Sequence, residues 1–236
     1  MIEEKEKIEK ISENSLYSSG VMKYSINHCF KVLARYLSAG NILEMGPAEG
    51  VMTDKLVEVT ENLTVIEGSA KFCDELAKRY SGLKVVNSLF EEFDPKEKYE
   101  TIVMGHVLEH VAEPVELLKS MKNWLTPSGR IFSAVPNSRS LHRQAAVSMG
   151  LLKSEDSLNK LDIHHGHRRV FSPESFRNAF IQSGYSIEVF GGYWLKPLSN
   201  TQIEAGWTPE MIKAYMELGE RYPDIAGEIY VVAKLS

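Results

Sequence analysis

Asn41-Ile42-Leu43-Glu44-Met45-Gly46-Pro47-Ala48-Glu49-Gly50 begins as a compact apolar run and stops at a glycine turn. Val51 to Thr60 then takes up helical spacing, so the segment reads as strand, turn and helix. In open α/β sheets the carboxyl end of such a strand borders the ligand crevice. Glycines there let main chain approach a ligand closely. The spacing is acidic-x-Gly-x-Ala-x-Gly, not the Gly-x-Gly-x-x-Gly that seats a pyrophosphate on a helix N-terminus. An acid beside the turn repels a pyrophosphate and suits a cationic ligand.

The same unit repeats on both sides. Leu63 to Glu67 is strand-like, Ser69 is placed to cap a helix running to Tyr80, and Leu83 to Asn87 is a short β-rich run. Tyr99 to Gly105 predicts a fourth strand and Pro114 opens a helix through Trp124. Arg130 to Val135 predicts a fifth strand after the turn Pro127-Ser128-Gly129. Strands alternating with helices imply parallel pairing through right-handed crossovers. Upstream, Tyr24 to Leu37 has helical spacing and Gly40 is placed to end it, whereas Met1 to Ser12, rich in Glu, Lys and Ile, reads as an exposed helix or frayed arm, with a solvated tail favoured. Downstream, Asn137 to Arg169 is polar and His-rich, with only Leu141 to Leu152 helix-like. Ser172-Pro173 starts another helix. Tyr185 to Phe190 and Glu228 to Lys234 predict two closing strands, with one helix, Pro209 to Gly219, between them. An irregular link of that kind suits an antiparallel edge hairpin. The expected organisation is one domain over 1–236, with an N-terminal helical lid at 1–40 and substrate-side insertions at 137–171 and 192–226.

A chain of 236 residues, 43% hydrophobic, is long enough for a sizeable core. Its formal charge of -5 disfavours binding to a phosphate backbone, so no nucleic-acid partner is expected. Apolar runs are far shorter than the roughly 20 residues needed to span a bilayer. Neither a membrane partner nor a leader is therefore expected, and a cytoplasmic location fits. Cys29 and Cys73 lack metal-ligand spacing and sit in helix-like surroundings, so no disulfide framework is expected. Oligomeric state is silent in the sequence.

From Ile42 to Val135, and again in the late strands, the sequence resembles the class I S-adenosylmethionine-dependent methyltransferases. Glu44 to Gly50 looks like the family's glycine-rich first motif, and Val65-Ile66-Glu67-Gly68 like its acidic strand end, whose carboxylate takes both ribose hydroxyls. Asn87-Ser88-Leu89-Phe90 falls where the family contacts adenine, with Ser88 in place of the frequent Asp. Leu89 and Phe90 also read as plain core. Gly105-His106-Val107-Leu108-Glu109-His110-Val111 resembles the segment after the fourth strand in small-molecule methyltransferases. The departure of Ala48 from glycine is mild.

The resemblance implies a doubly wound, Rossmann-like α/β sheet of seven strands, mostly parallel with an antiparallel edge hairpin, plus lid insertions. S-adenosyl-L-methionine is the implied cofactor. It would be held by Tyr17, Met22, Glu44, Gly46, Ala48, Gly50, Glu67, Gly68, Ser88, Leu89, Phe90, Gly105 and His106. The implied activity is methylation of an oxygen or nitrogen of a small acceptor, anionic or aromatic.

Methyl transfer from a sulfonium needs alignment and exclusion of water more than a strong acid. Histidine is the natural general base near neutral pH, which nominates His110, His165 and His167 as catalytic. His110 also reads as a turn residue. His164 to Arg169 reads either as a solvated loop or as a donor-rich wall for an anionic acceptor, to which Arg139, His142 and Arg143 would add. Tyr193, Trp194, Leu195, Trp207, Met211, Tyr215 and Met216 read as acceptor-pocket lining or lid core. No metal site is assigned, although a divalent ion shared by Glu109, His110 and an insertion histidine stays open. Two other readings keep the same sheet: a regulatory or scaffold protein that binds the cofactor without methyl transfer, and a nucleotide oxidoreductase, which the glycine spacing disfavours.

Overall fold

A computed structural model describes residues 2–13, 15 and 17–236; Met1 of the expected N-terminal segment lies outside them. In chain order the elements are α1 (Ile2–Ser12), α2 (Gly20–Leu33), β1 (Ile42–Met45), α3 (Thr53–Leu56), β2 (Leu63–Glu67), α4 (Ala70–Arg79), β3 (Lys84–Asn87), β4 (Tyr99–Gly105), α5 (Pro114–Met121) and β5 (Leu125–Pro136). Then come α6 (Leu141–Ser148), α7 (Lys160–His164), α8 (Pro173–Gln182), β6 (Tyr185–Tyr193), α9 (Asn200–Gly206), α10 (Pro209–Gly219) and β7 (Glu228–Leu235). Local chemistry sets many of these starts. Ser69 accepts a hydrogen bond from Phe72 N at the head of α4. Ser172 and Ser175 form a capping box at α8, with Pro173 in its first turn.

The seven strands lie in the order β3-β2-β1-β4-β5-β7-β6. β1 runs parallel to β2 and β4, with Glu44 opposite both Val65 and Val103. The chain leaves β1 toward β2 on one side and returns to β4 on the other. The crevice therefore opens above the carboxyl ends of β1 and β4. β7 is antiparallel to both β5 and β6, so the closing hairpin is folded back with its second strand inside and β6 at the edge.

All four β1 residues are buried, as expected of a central parallel strand covered on both faces. Alternation divides two apolar clusters between those faces. Leu43, Met45, Ile102 and Met104 join Leu118, Phe176 and Phe180 on one side. Ile42, Val65, Val103 and Phe132 join Leu33, Trp194 and Met216 on the other. No helix among the described residues is long and apolar enough to cross a membrane.

Several expectations are corrected. The Pro127-Ser128-Gly129 turn is absorbed into β5, where the pairing register with β4 shifts between Tyr99 and Thr101. The helix expected over Val51 to Thr60 shrinks to α3, flanked by turns, and α2 starts at Gly20 rather than Tyr24. Residues 200–206 add a helix, α9, begun by a Ser199–Gln202 capping box. Residues 160–164 add α7. Most consequentially, of the two readings of the first residues the helix holds and the favoured solvated tail does not: α1 lies across the crevice, with Ile8 and Ile11 lining it.

The helices α9 and α10 pack on α2. At the end of α10 there is no room for a side chain: a Cβ on Gly219 would stand 2.2 Å from Trp194 N and 2.5 Å from Tyr193 C. Those are main-chain atoms that rotamer changes cannot move. Gly219→Ala is expected to destabilise the fold by about 3 kcal/mol, roughly 6–12 °C in Tm, as scanning calorimetry would register.

Candidate active site

The site begins with the turn after β1. Gly46 adopts φ +65°, and a Cβ there would press on Val107 Cγ2 at 3.3 Å and Phe90 Cζ at 3.4 Å. Gly46 N donates to Ile66 O at 2.9 Å and Ala48 N donates to Glu67 Oε2 at 3.2 Å, tying the turn to the tip of β2. Ala48 and His106 both hold positive φ, +48° and +60°. Such backbone is uncommon outside glycine and clusters at functional sites.

Glu67 Oε1 also accepts from Ser69 N at 2.8 Å, so two main-chain amides fix this carboxylate. Burial still raises its pKa, against the pull of those amides. Glu44 is buried more completely and accepts from Thr53 Oγ1 at 2.7 Å. Burial, reinforced by the neighbouring Glu67 charge and only partly offset by Thr53, pushes it up to about 8.

Above these tips lies a cleft of about 500 Å³, within the size range of small-ligand sites. Of the anticipated residues, Tyr17, Glu44, Gly46, Ala48, Glu67, Gly68, Ser88, Leu89, Phe90, Gly105, His106, His110 and His165 line it. Met22, Gly50 and His167 do not. The sulfur of Met22 points toward α9, where Asn200 Nδ2 reaches it at 3.4 Å. Gly50 faces α4, since a Cβ there would meet Leu76 Cδ2 at 2.6 Å. His167 stands behind His110, ring centroids 4.8 Å apart and edge-on. Leu89 and Phe90 line the cleft while also packing against the core.

Residues that sequence reasoning missed include Ile8 and Ile11 of α1, Glu49 and Cys29. Helix α1 is clamped at both ends. Glu9 accepts from Ser69 Oγ at 2.8 Å and Ala70 N at 2.5 Å, placing a carboxylate at the start of α4. Glu4 takes both its bonds from Arg168 Nη2, at 2.8 and 2.7 Å. Cys29 is fully buried, and burial pushes its thiol up to about 12.

The histidines form a second layer. The ring of His165 lies 5.0 Å from that of Tyr17 and 6.1 Å from that of His167. Burial lowers His110 to about 4, with Glu109 opposing the shift. Burial and the neighbouring His167 and His164 lower His165 to about 4. Both are neutral imidazoles at neutral pH. Burial also works against a charge on His106, but Glu228 and Glu109, at 3.7 and 3.5 Å from its Nδ1, prevail and raise it to about 9.

The donor-rich wall for an anion is not formed. Arg169 spends its guanidinium on the carbonyls of Leu108, Val111 and Ala112, and Arg168 on His110 O and Glu4. Arg143 binds Glu155 O, Ser157 O and Asp162, and Arg139 binds Glu174. Carbonyls of neighbouring loops, unmatched by secondary structure, claim these donors. The aromatic set of the later insertion is likewise not cleft lining: Tyr193, Trp194 and Met216 are buried in the opposite core, and the ring of Trp207 packs tilted against that of Tyr215, centroids 4.5 Å apart.

Glu44, Glu49 and Glu67 are among six glutamates that line this cleft, and Glu49 Oε2 is buried without a hydrogen-bond donor. An acidic crevice floored by bare main chain fits a cationic nucleoside. The profile of a family described as methyltransferase domain matches residues 22–188. A ubiquinone biosynthesis O-methyltransferase from Rhizobium leguminosarum bv. trifolii (strain WSM2304) is 25% identical over 195 residues, covering 80% of this chain and 74% of that protein. Among solved structures, a SAM-dependent methyltransferase of Thermotoga maritima, described as a possible histamine N-methyltransferase, superposes with TM-score 0.65 at 16% identity, over 100% of this chain and 96% of the other. The N-methyltransferase NodS of Bradyrhizobium japonicum WM9, in complex with S-adenosyl-L-homocysteine, gives 0.58 at 14% identity, over 93% and 90%.

The chain belongs to the methyltransferase domain family, on a Rossmann-like seven-stranded sheet. It is a methyltransferase by that family, and its fold is shared with the S-adenosyl-L-homocysteine-bound NodS.

Proposed function

We propose that this enzyme methylates an oxygen or nitrogen of a small, preferentially aromatic acceptor in the cytoplasm, with residues 1–40 and 137–171 acting as lids on the cleft. One observation carries the reading: the neutral imidazoles of His110 and His165 and the ring of Tyr17 line the same cleft as Glu67 and the Gly46 turn. When bound, S-adenosylmethionine supplies an electrophilic methyl carbon. The chain's own residues do the rest. Glu67 takes the ribose hydroxyls, the Gly46–Ala48 main chain and Glu44 take the amino-acid end, and Leu89 and Phe90 flank the base.

On the acceptor side, Tyr17 presents an aromatic face and His165 accepts a proton from the attacking atom, while His110, backed by His167, orients the acceptor. Arginines occupied by carbonyls support an aromatic acceptor over an anionic one. The ubiquinone biosynthesis relatives are named as O-methyltransferases and NodS as an N-methyltransferase, so both attacking atoms stay within the proposal.

The test incubates the protein with labelled S-adenosylmethionine and a panel of phenols, catechols and aromatic amines, and follows products one methyl heavier by mass spectrometry. His165→Ala is expected to lower kcat roughly 100-fold or more while cofactor affinity stays within about twofold. Wild-type turnover in both His110→Ala and His165→Ala rejects the histidine assignment.

A further inference from the structure

Cofactor binding leaves one buried group without a task. Glu109 is fully buried on the turn after β4, and neither of its carboxylate oxygens has a hydrogen-bond donor. The side chain of His106 stands 3.5 Å away, at ion-pair range but beyond a good hydrogen bond. That one imidazole is shared with the buried carboxylate of Glu228, 3.7 Å from the same nitrogen, which leaves Glu109 room for a second cation on its other side. Beside it, His110 and His167 meet edge-on, and one potential ligand atom from each of Glu109, His110 and His167 lies within 4.8 Å of the others. Metal bonds of about 2.1 Å to imidazole and carboxylate draw such atoms closer, and ring rotation supplies the difference.

The surroundings are built for ligation. Asp162 Oδ1 stands 3.5 Å from His167 Nδ1, placed to orient that ring and leave Nε2 for a metal. Asp162 is itself held by Arg143 at 3.1 Å and by Asn159 N at 2.8 Å. Arg168 N donates to Glu109 O at 2.8 Å, locking the insertion loop onto the turn that carries two of the three residues.

We infer that Glu109, His110 and His167 bind one divalent first-row transition cation of the zinc type, with the open coordination positions facing the cleft past His110. Two imidazoles and one carboxylate match such ions better than magnesium or calcium. The site stands on its own geometry. Its task, holding an oxygen of the acceptor, rests on the methyl-transfer reading above.

The experiment strips the purified full-length chain with EDTA, desalts it and titrates Zn²⁺ by calorimetry, with S-adenosylmethionine titrated separately as a check on the fold. One zinc per chain is expected. His167→Ala and Glu109→Gln should weaken it at least 10–100-fold with cofactor affinity retained, while His164→Ala leaves it unchanged. Equal zinc binding by wild type and His167→Ala overturns the site. Co²⁺ added to the wild-type chain gives a reading that needs no variant: a ligand-field spectrum more intense than that of the hydrated ion supports the site, and the hydrated-ion spectrum overturns it. Because neither readout involves turnover, failure of the metal site and failure of the methyl-transfer reading are separable.

Discussion

Glu67→Ala is expected to lower affinity for S-adenosylmethionine on the order of 100-fold, about 3 kcal/mol, and Glu67→Gln roughly 30-fold. The carboxylate stands at the carboxyl end of β2, already oriented by Ser69 N and Ala48 N, with its burial disfavouring the charge it carries. Ribose hydroxyls donating to it restore the lost solvation through charge-assisted bonds, which are worth more than neutral ones. Glutamine keeps the shape but halves the acceptor capacity and removes the charge. Since the ribose is common to substrate and product, S-adenosylhomocysteine affinity should fall in parallel. Calorimetric titration of both ligands checks this, and an affinity within twofold of wild type for Glu67→Ala would remove Glu67 from the site.

Removing residues 1–13 is expected to weaken the cofactor roughly 10–100-fold while leaving the unliganded fold nearly as stable as before. Among the described residues, helix α1 contributes none to either apolar cluster, both of which begin at or after Val21. Its value lies in covering the cleft with Ile8 and Ile11, each worth about 1.5–3 kcal/mol when fully buried. The ion pair of Glu4 with Arg168 is half-exposed and adds little. Glu9→Ala alone should remove about 1 kcal/mol, as loss of a charged cap does. Thermal shifts separate the effects: without ligand the truncated chain should melt only about 2–4 °C below the full chain, the cost of the lost Glu9 cap, and it should lose most of the ligand-induced rise in Tm. A truncated chain that binds as tightly as the full one would make α1 an ornament.

The sheet and its crevice were legible because their signals are local. The fourth strand, Tyr99–Gly105, and the helix Pro209–Gly219 fall where periodicity and Pro placement set them. The acidic glycine turn and Glu67 reach the same cleft because neighbouring parallel strands end at one level. What escaped depends on partners distant in sequence. Ile8 and Ile11 make too narrow a stripe to announce a packed helix, and only the cleft beneath them makes α1 more than a charged tail. The arginines of the insertion look identical whether they await a ligand or serve carbonyls 57 residues away, as Arg169 serves Ala112. A signal for α9 was present, since Ser199 and Gln202 spell a capping box, but the apolar run behind it is short.

The lining of the cleft by Cys29 has a chemical corollary. A sulfur nucleophile beside a reagent that alkylates is a hazard to the catalyst itself, since the thiolate form attacks readily. With its thiol raised to about 12, only on the order of one molecule in 100,000 carries the thiolate at pH 7. Burial thus acts as a safety catch, keeping the enzyme from becoming its own substrate.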